Sequence, residues 1–168
     1  RPLGDVYMER AEEMGIEVTR NVGKTGVVGT LKVGDSNKVI GLRADMDAIN
    51  VKEMSNLDYK SKNDGKMHAC GHDGHTAMLL GAAKLLSESK NFNGIVRFIF
   101  QPAEEPGKGS KAMVEEGLLE KFPMDEIYGM HNRPNYKENT INVRKGSIMS
   151  SEDNFKIVIK GKGTHASS

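Results

Sequence analysis

The 168-residue sequence has no tryptophan, one cysteine and few aromatic residues, which make up 5% of the chain. A single cysteine cannot form an internal disulfide bond, so the fold does not depend on a disulfide framework. Cys70 is therefore a small buried hydrophobic residue, a reactive thiol or a metal ligand.

An excess of charge of either sign is also absent, and so are long apolar runs. The 24 Lys and Arg residues nearly balance 23 Asp and Glu residues, a formal net charge of +1, so we expect no nucleic-acid partner. No stretch of eighteen apolar residues occurs, and residues 1–5 lack the charged-then-apolar pattern of a signal peptide. We therefore expect a soluble, cytoplasmic protein with no membrane partner.

Apolar residues instead recur with the spacings of helices and strands. Helical spacing predicts helices over residues 3–14, 74–86 and 110–116. Short β-branched and apolar runs predict strands over residues 27–33, 38–44, 95–100, 125–130, 140–143 and 155–159. The turn-type composition of residues 34–37 predicts that the first two strands form a hairpin or lie side by side. Together these patterns indicate an α/β sheet with helices on both faces.

Polar residues of unusual composition follow three of the predicted strands. Residues 43–47 follow one strand, residues 101–105 a second, and His131 with Asn132 a third. Residues 68–75 lie directly before the buried helix. Ligands of α/β sheets bind beyond the carboxyl ends of the strands, so we expect a functional site at this edge.

The segment from His68 to His75 holds three of the five histidines and the only cysteine. Cys70 and His72 can both reach one divalent cation if the backbone turns between them, which Gly71 permits. A thiolate beside an imidazole favours a transition metal such as Zn²⁺, or Mn²⁺ where carboxylates contribute, over Ca²⁺ or Mg²⁺. A zinc finger is excluded because such sites use cysteine pairs and the sequence has a single cysteine.

Glu104 and Glu105 are adjacent carboxylates at the end of an apolar strand. Neighbouring side chains there point in different directions, so one carboxylate can bind a metal while the other faces a substrate. His131, at the end of another strand, is the natural next ligand. Two other interpretations stay open: Cys70 as a nucleophile with His72 or His131 as its base, and a non-catalytic metal-binding or dimerisation module.

Four segments occur in the order of a known family: residues 41–48 (GLRADMDA), 67–77 (MHACGHDGHTA), 100–105 (FQPAEE) and 129–132 (GMHN). They resemble the metal-dependent amidohydrolases of the aminoacylase and carboxypeptidase superfamily. The resemblance is to the branch with hippurate hydrolases, indoleacetyl-amino-acid hydrolases and N-acetyldiaminopimelate deacetylases. It implies a hydrolase with two divalent ions, Mn²⁺ or Zn²⁺ with Co²⁺ or Ni²⁺ as options, that cleaves the amide of small N-acyl amino acids.

The resemblance also implies a role for individual residues. Cys70 would bridge both metals, His72 and His131 would bind one of them, Glu105 would bind the other, and Glu104 would be the general base.

Four further positions are considered in the light of the same resemblance. Asp45 would orient a ligand or polarise a catalytic group, because Arg43 stands where the wider superfamily has a metal-binding histidine and His72 replaces that ligand. His165 would hold the oxyanion of the tetrahedral intermediate in the partner subunit. His68 and His75 are expected to be supporting residues.

The implied fold is that of a zinc-exopeptidase-like catalytic domain with a twisted, mostly parallel sheet and helices on both faces. Residues 1–150 would form the N-terminal part of this domain. Residues 151–168 would begin an inserted α+β lid through which the protein forms a homodimer. Family members are longer, so we expect the 168-residue chain to have little activity alone.

Overall fold

The computed structural model describes residues 3–151 and 153–163. Within them the chain forms four helices: α1 (Leu3–Glu13), α2 (His72–Ser89), α3 (Gly109–Glu115) and α4 (Leu118–Lys121). It also forms five strands: β1 (Glu17–Val22), β2 (Gly26–Val33), β3 (Val39–Asp45), β4 (Gly94–Gln101) and β5 (Glu126–Gly129). The three helices predicted from the sequence are present, and β1 is an additional strand.

The five strands described form one sheet in the order β1-β2-β4-β3-β5. The pairs β1–β2 and β2–β4 are antiparallel, whereas β3 is parallel to both β4 and β5. The α/β class is confirmed, but the sheet is mixed rather than mostly parallel. The predicted pairing of β2 with β3 is wrong, because β4, which is apolar on both faces, lies between them.

Helices cover both faces of the sheet, as predicted. On one face α1 and α2 pack against the strands around Phe98. On the other face, residues from α3 and α4 pack around Ile99. Successive side chains of a strand point to opposite faces, so Phe98 and Ile99, both 2% exposed or less, belong to different cores.

Parallel pairing brings the carboxyl ends of β3, β4 and β5 to one edge of the sheet. Asp45 pairs with Gln101 across β3 and β4, and Arg43 pairs with Gly129 across β3 and β5. The start of α2 is fixed to the same edge, because the Thr76 hydroxyl donates to the Asp45 carbonyl at 3.0 Å. The polar segments after the three strands therefore meet the start of α2.

The chain divides into two compact units, residues 1–133 and 134–168. In the second unit, the described residues form neither a helix nor a strand, so the strands predicted over 140–143 and 155–159 are absent. A strand needs a hydrogen-bonded neighbour, and apolar side chains such as Ile141 and Ile157 are instead exposed there. The domain boundary expected between residues 150 and 151 stays a prediction. In the described residues, no helix combines the length and apolar character needed to cross a membrane.

Candidate metal centre

A tight turn before α2 positions the cysteine and the first histidine of the site. Gly71 precedes the helix with a φ of 88°, in the left-handed region that glycine tolerates best. A Cβ atom at this position would lie 2.6 Å from the side chain of Asn132, so space as well as conformation requires glycine. The turn expected from the sequence at Gly71 is therefore present.

His72 lies at the centre of the site and is fully buried. Its Nδ1–H donates to the backbone carbonyl of Asp47 at 3.0 Å, so in the neutral imidazole Nε2 is the nitrogen that can bind a metal. Among the described residues Nε2 has no hydrogen-bond partner. Carboxylate oxygens of Asp45, Glu104 and Glu105 lie 3.7, 3.8 and 3.7 Å from it.

These gaps around His72 Nε2 fit a shared cation better than direct hydrogen bonds. A nitrogen buried without a partner costs about 1–3 kcal/mol. Two ligand atoms bound tetrahedrally at about 2.1 Å from one metal lie about 3.4 Å apart. The observed separations are close to this value and too long for hydrogen bonds.

Cys70 and His131 extend the site on the other side of His72. The Cys70 Sγ atom lies 3.4 Å from His131 Nε2. His131 Nδ1–H donates to the Asn132 carbonyl at 2.7 Å, so its Nε2 lone pair is also available. Thiolate, imidazole and carboxylate donors together suit a borderline transition metal, so these residues fit a metal centre.

Among the residues that the structure describes, three groups of side chains could each hold a cation, with ligand atoms within 4.8 Å of one another, and His72 belongs to all three. The groups are Cys70–His72–His131, His72–Glu104–Glu105 and Asp45–His72–His75. The structure therefore brings together all four residues predicted as metal ligands, with Glu104 beside them. His72 Nε2 can bind only one cation, so a second cation beside it would rely on the other donors of these groups.

Asp45 belongs to a buried polar network behind the site. It is 1% exposed and accepts hydrogen bonds from Arg43 Nη1 at 2.8 Å and His75 Nδ1 at 2.6 Å. Burial would raise the pKa of Asp45, but the hydrogen bond from His75 and the charge of Arg43 outweigh it and lower that pKa. The backbone N–H of Asn132 donates to His75 Nε2 at 3.0 Å and completes the network.

Comparison with known proteins assigns the chain to a family. The model of the peptidase family M20/M25/M40 matches residues 41–165. The chain belongs to this family. The resemblance stated from the four sequence segments is therefore confirmed.

Relatives with curated names lie within the same M20/M25/M40 family. Hippurate hydrolase of Campylobacter jejuni is 53% identical over 95% of this chain and 41% of that protein. N-acetylcysteine deacetylase of Bacillus subtilis is 49% identical over 85% of this chain and 37% of that protein. The chain thus spans about two fifths of the length of these relatives.

A solved M20 structure also superposes on this chain. It is the Bacillus subtilis protein YXEP, described as a dinuclear metal binding peptidase, with a TM-score of 0.73 and 43% identity. The match covers 79% of this chain and 37% of that one.

The protonation state of Cys70 bears on the cysteine-nucleophile interpretation of this M20 site. Burial, then a hydrogen bond with Glu105 and the charges of Glu105, Glu104 and Asp45, raise the pKa of the Cys70 thiol to about 11. A nucleophilic cysteine needs the opposite shift, so the site disfavours that alternative. Bound cations would oppose the same carboxylate charges and favour the thiolate.

Two neighbours of the candidate ligands had no predicted role. Asp47 and Asn132 both contact site histidines, and each lies within two residues of a position that was singled out. His75, expected to be a supporting residue, is in the buried network. His68 belongs to none of the three groups found among the described residues, and His165 lies outside those residues.

Proposed function

We propose that the whole protein is a two-metal hydrolase that cleaves the amide bond of N-acyl amino acids and releases a carboxylate and a free amino acid. The observation that carries this proposal is the buried, unpartnered Nε2 of His72, which faces the carboxylates of Glu104 and Glu105 among the described residues. The substrate class is supported by two relatives named as hydrolases of hippurate and of N-acetylcysteine.

The donor atoms divide between two cations in the proposed site. Cys70, His72 and His131 would hold one cation, and Cys70 with Glu105 would hold the other. Mn²⁺ or Zn²⁺ fits this mixed donor set, and Co²⁺ or Ni²⁺ is an option. When bound, such cations lower the pKa of water toward neutrality and polarise a substrate carbonyl.

Glu104 is the proposed general base. Its carboxylate lies 3.8 Å from His72 Nε2, and 39% of its side chain is exposed, so a substrate can approach it. Glu104 takes a proton from the attacking water and transfers it to the departing amine, which would otherwise be a very poor leaving group. Asp45 holds His75 at the back of the site and does not itself meet the substrate.

The remaining proposals concern the whole protein. We propose that it works in the cytoplasm as a homodimer through a lid that begins at residue 151. His165 of one subunit would donate a hydrogen bond to the oxyanion formed in the other.

Two matched substitutions of neighbouring glutamates test the function. In the full-length protein, E104Q should keep the metal content of the wild type and lose hydrolysis of N-acetyl and N-benzoyl amino acids by at least about 100-fold. E105Q should bind less metal, because it removes a ligand. Metal analysis and a substrate screen measure both effects. Activity that survives in E104Q would disprove the base assignment, and a wild type that hydrolyses no N-acyl amino acid would disprove the function.

A further inference from the structure

Asp47 contacts three residues of the proposed centre at once. Its backbone carbonyl accepts from His72 Nδ1–H at 3.0 Å. Its side-chain oxygens Oδ1 and Oδ2 accept from the backbone N–H groups of Glu104 at 3.0 Å and Glu105 at 3.2 Å. The residue lies two positions after the end of β3, whereas the glutamates follow β4, so Asp47 joins two strand ends to the start of α2.

The loop that carries the two glutamates adopts a backbone conformation that needs support. Ala103, just before Glu104, has a φ of 46°, in the left-handed region that residues with a Cβ atom rarely occupy. Such a conformation persists only where surrounding contacts hold it. The Asp47 carboxylate supplies two of these contacts, and a charged acceptor makes them stronger than neutral hydrogen bonds.

The main chain of Asp47 supports His72, and its side chain chiefly supports the two glutamates. The carbonyl holds the Nδ1–H tautomer of His72, and a substitution at position 47 leaves that carbonyl in place. The carboxylate accepts two hydrogen bonds from the Glu104–Glu105 loop, and its Oδ1 also lies 3.3 Å from His72 Nδ1. Removing the carboxylate should therefore disturb the glutamates more than the histidine, which keeps its shorter hydrogen bond to the Asp47 carbonyl.

We infer that Asp47 is a positioning residue whose carboxylate sets the place of Glu104 and Glu105 relative to His72. This inference rests on the proposed function, because it adopts Glu105 as the ligand of one cation and Glu104 as the base. It predicts that the cation held by Glu105 depends on the Asp47 side chain. The cation held by Cys70, His72 and His131 should not depend on that side chain.

Cobalt binding to the full-length protein separates the two cations. In D47A, the first equivalent of Co²⁺ should bind with wild-type affinity and keep the thiolate absorption band from Cys70. The second equivalent should bind about 10–100-fold more weakly. In a kinetic assay, kcat should fall by about the same factor while KM stays within about threefold. D47N keeps one acceptor oxygen, so its effects should be intermediate.

A matched control comes from the opposite end of β3. The Asp125 carboxylate also accepts from a backbone N–H, that of Val39, at 2.8 Å, but far along the strand from the site. D125N should lose stability without changing either cobalt equivalent or kcat.

Three results would overturn the inference. The first is D47A binding both cobalt equivalents with wild-type affinity, and the second is D47A binding both equivalents equally more weakly. The third is selective weakening of the second equivalent in D125N as well. If D47A does not fold, the same comparison with D47N decides. If the wild type cleaves no N-acyl amino acid, the proposed function fails, and the cobalt titration still decides the role of Asp47.

Discussion

At the scale of single residues, the pKa of the Cys70 thiol links the candidate metal site to pH. The carboxylates that would share a metal with it also raise its pKa, so without metal they keep the thiol protonated. Binding a cation must displace that proton, which couples metal affinity to pH.

Alkylation of Cys70 in the metal-free protein is the corresponding prediction. Because the pKa rises from an ordinary 9.0 to about 11, the thiolate fraction at pH values below both should be about 100-fold lower than in the unfolded chain. Iodoacetamide should react slowly near neutrality and faster as pH rises toward 11. Rates measured against pH, with the unfolded protein as control, check this. An apparent pKa at or below 9 would contradict the prediction.

The candidate ligand residues could be found from the sequence, whereas the residues that support them could not. Cys70 and His72 are close in sequence and chemically distinctive, and Glu105 and His131 each follow an apolar strand. The role of Asp47 depends on main-chain atoms of a loop more than 50 residues away, which no residue type reveals. The residue types in a sequence indicate which side chains can bind a metal. Backbone contacts between distant loops depend on the order of the strands in the sheet, which the sequence did not predict.

At the scale of secondary-structure elements, the order of the strands in the sheet was the part that local patterns predicted poorly. Residues 34–37 have a turn composition, yet the strands on either side of them do not pair. A turn reverses the direction of the chain, but it does not determine which strand forms hydrogen bonds with the strand that follows it. β4 takes the central place because both its faces are largely buried and are covered by helices.

The turn before α2 gives a prediction at this scale. G71A should lower the free energy of unfolding by about 1–2 kcal/mol through the left-handed backbone alone, and the contact with Asn132 should add to this loss. Because the Asn132 side chain also contacts His75 Nε2 at 2.8 Å, the double variant G71A/N132A should recover only the contact part when it is compared with N132A alone. Denaturant unfolding of the full-length protein measures both.

Gly74 supplies the control for G71A within the same helix. No described atom lies within 4 Å of a Cβ atom built on Gly74, which belongs to α2 itself. G74A should therefore be neutral or should stabilise the protein by about 0.5–1 kcal/mol. If G71A were as well tolerated as G74A, the turn would not be required.

At the scale of the whole molecule, the candidate site joins segments that are distant along the chain. His72, Glu105 and His131 lie more than 20 residues apart in sequence and meet only because β3, β4 and β5 end at one edge. An unfolded chain does not hold these donors together. A cation bound by them should therefore stabilise the folded state selectively.

This selectivity gives a prediction for the full-length protein. At a free Mn²⁺ concentration about 100 times the dissociation constant, the cation should add about 2.7 kcal/mol to the free energy of unfolding. At one fixed free Mn²⁺ concentration the gain should grow with pH, because binding displaces the Cys70 proton and the dissociation constant therefore falls as pH rises. Unfolding curves with Mn²⁺ and with a chelator measure this gain in stability.

Two variants provide the controls. E105Q should show a smaller gain, while D125N, whose carboxylate accepts a hydrogen bond from Val39 away from the site, should show the wild-type gain. Equal unfolding midpoints in chelator and in Mn²⁺ would mean that these side chains do not form a metal centre.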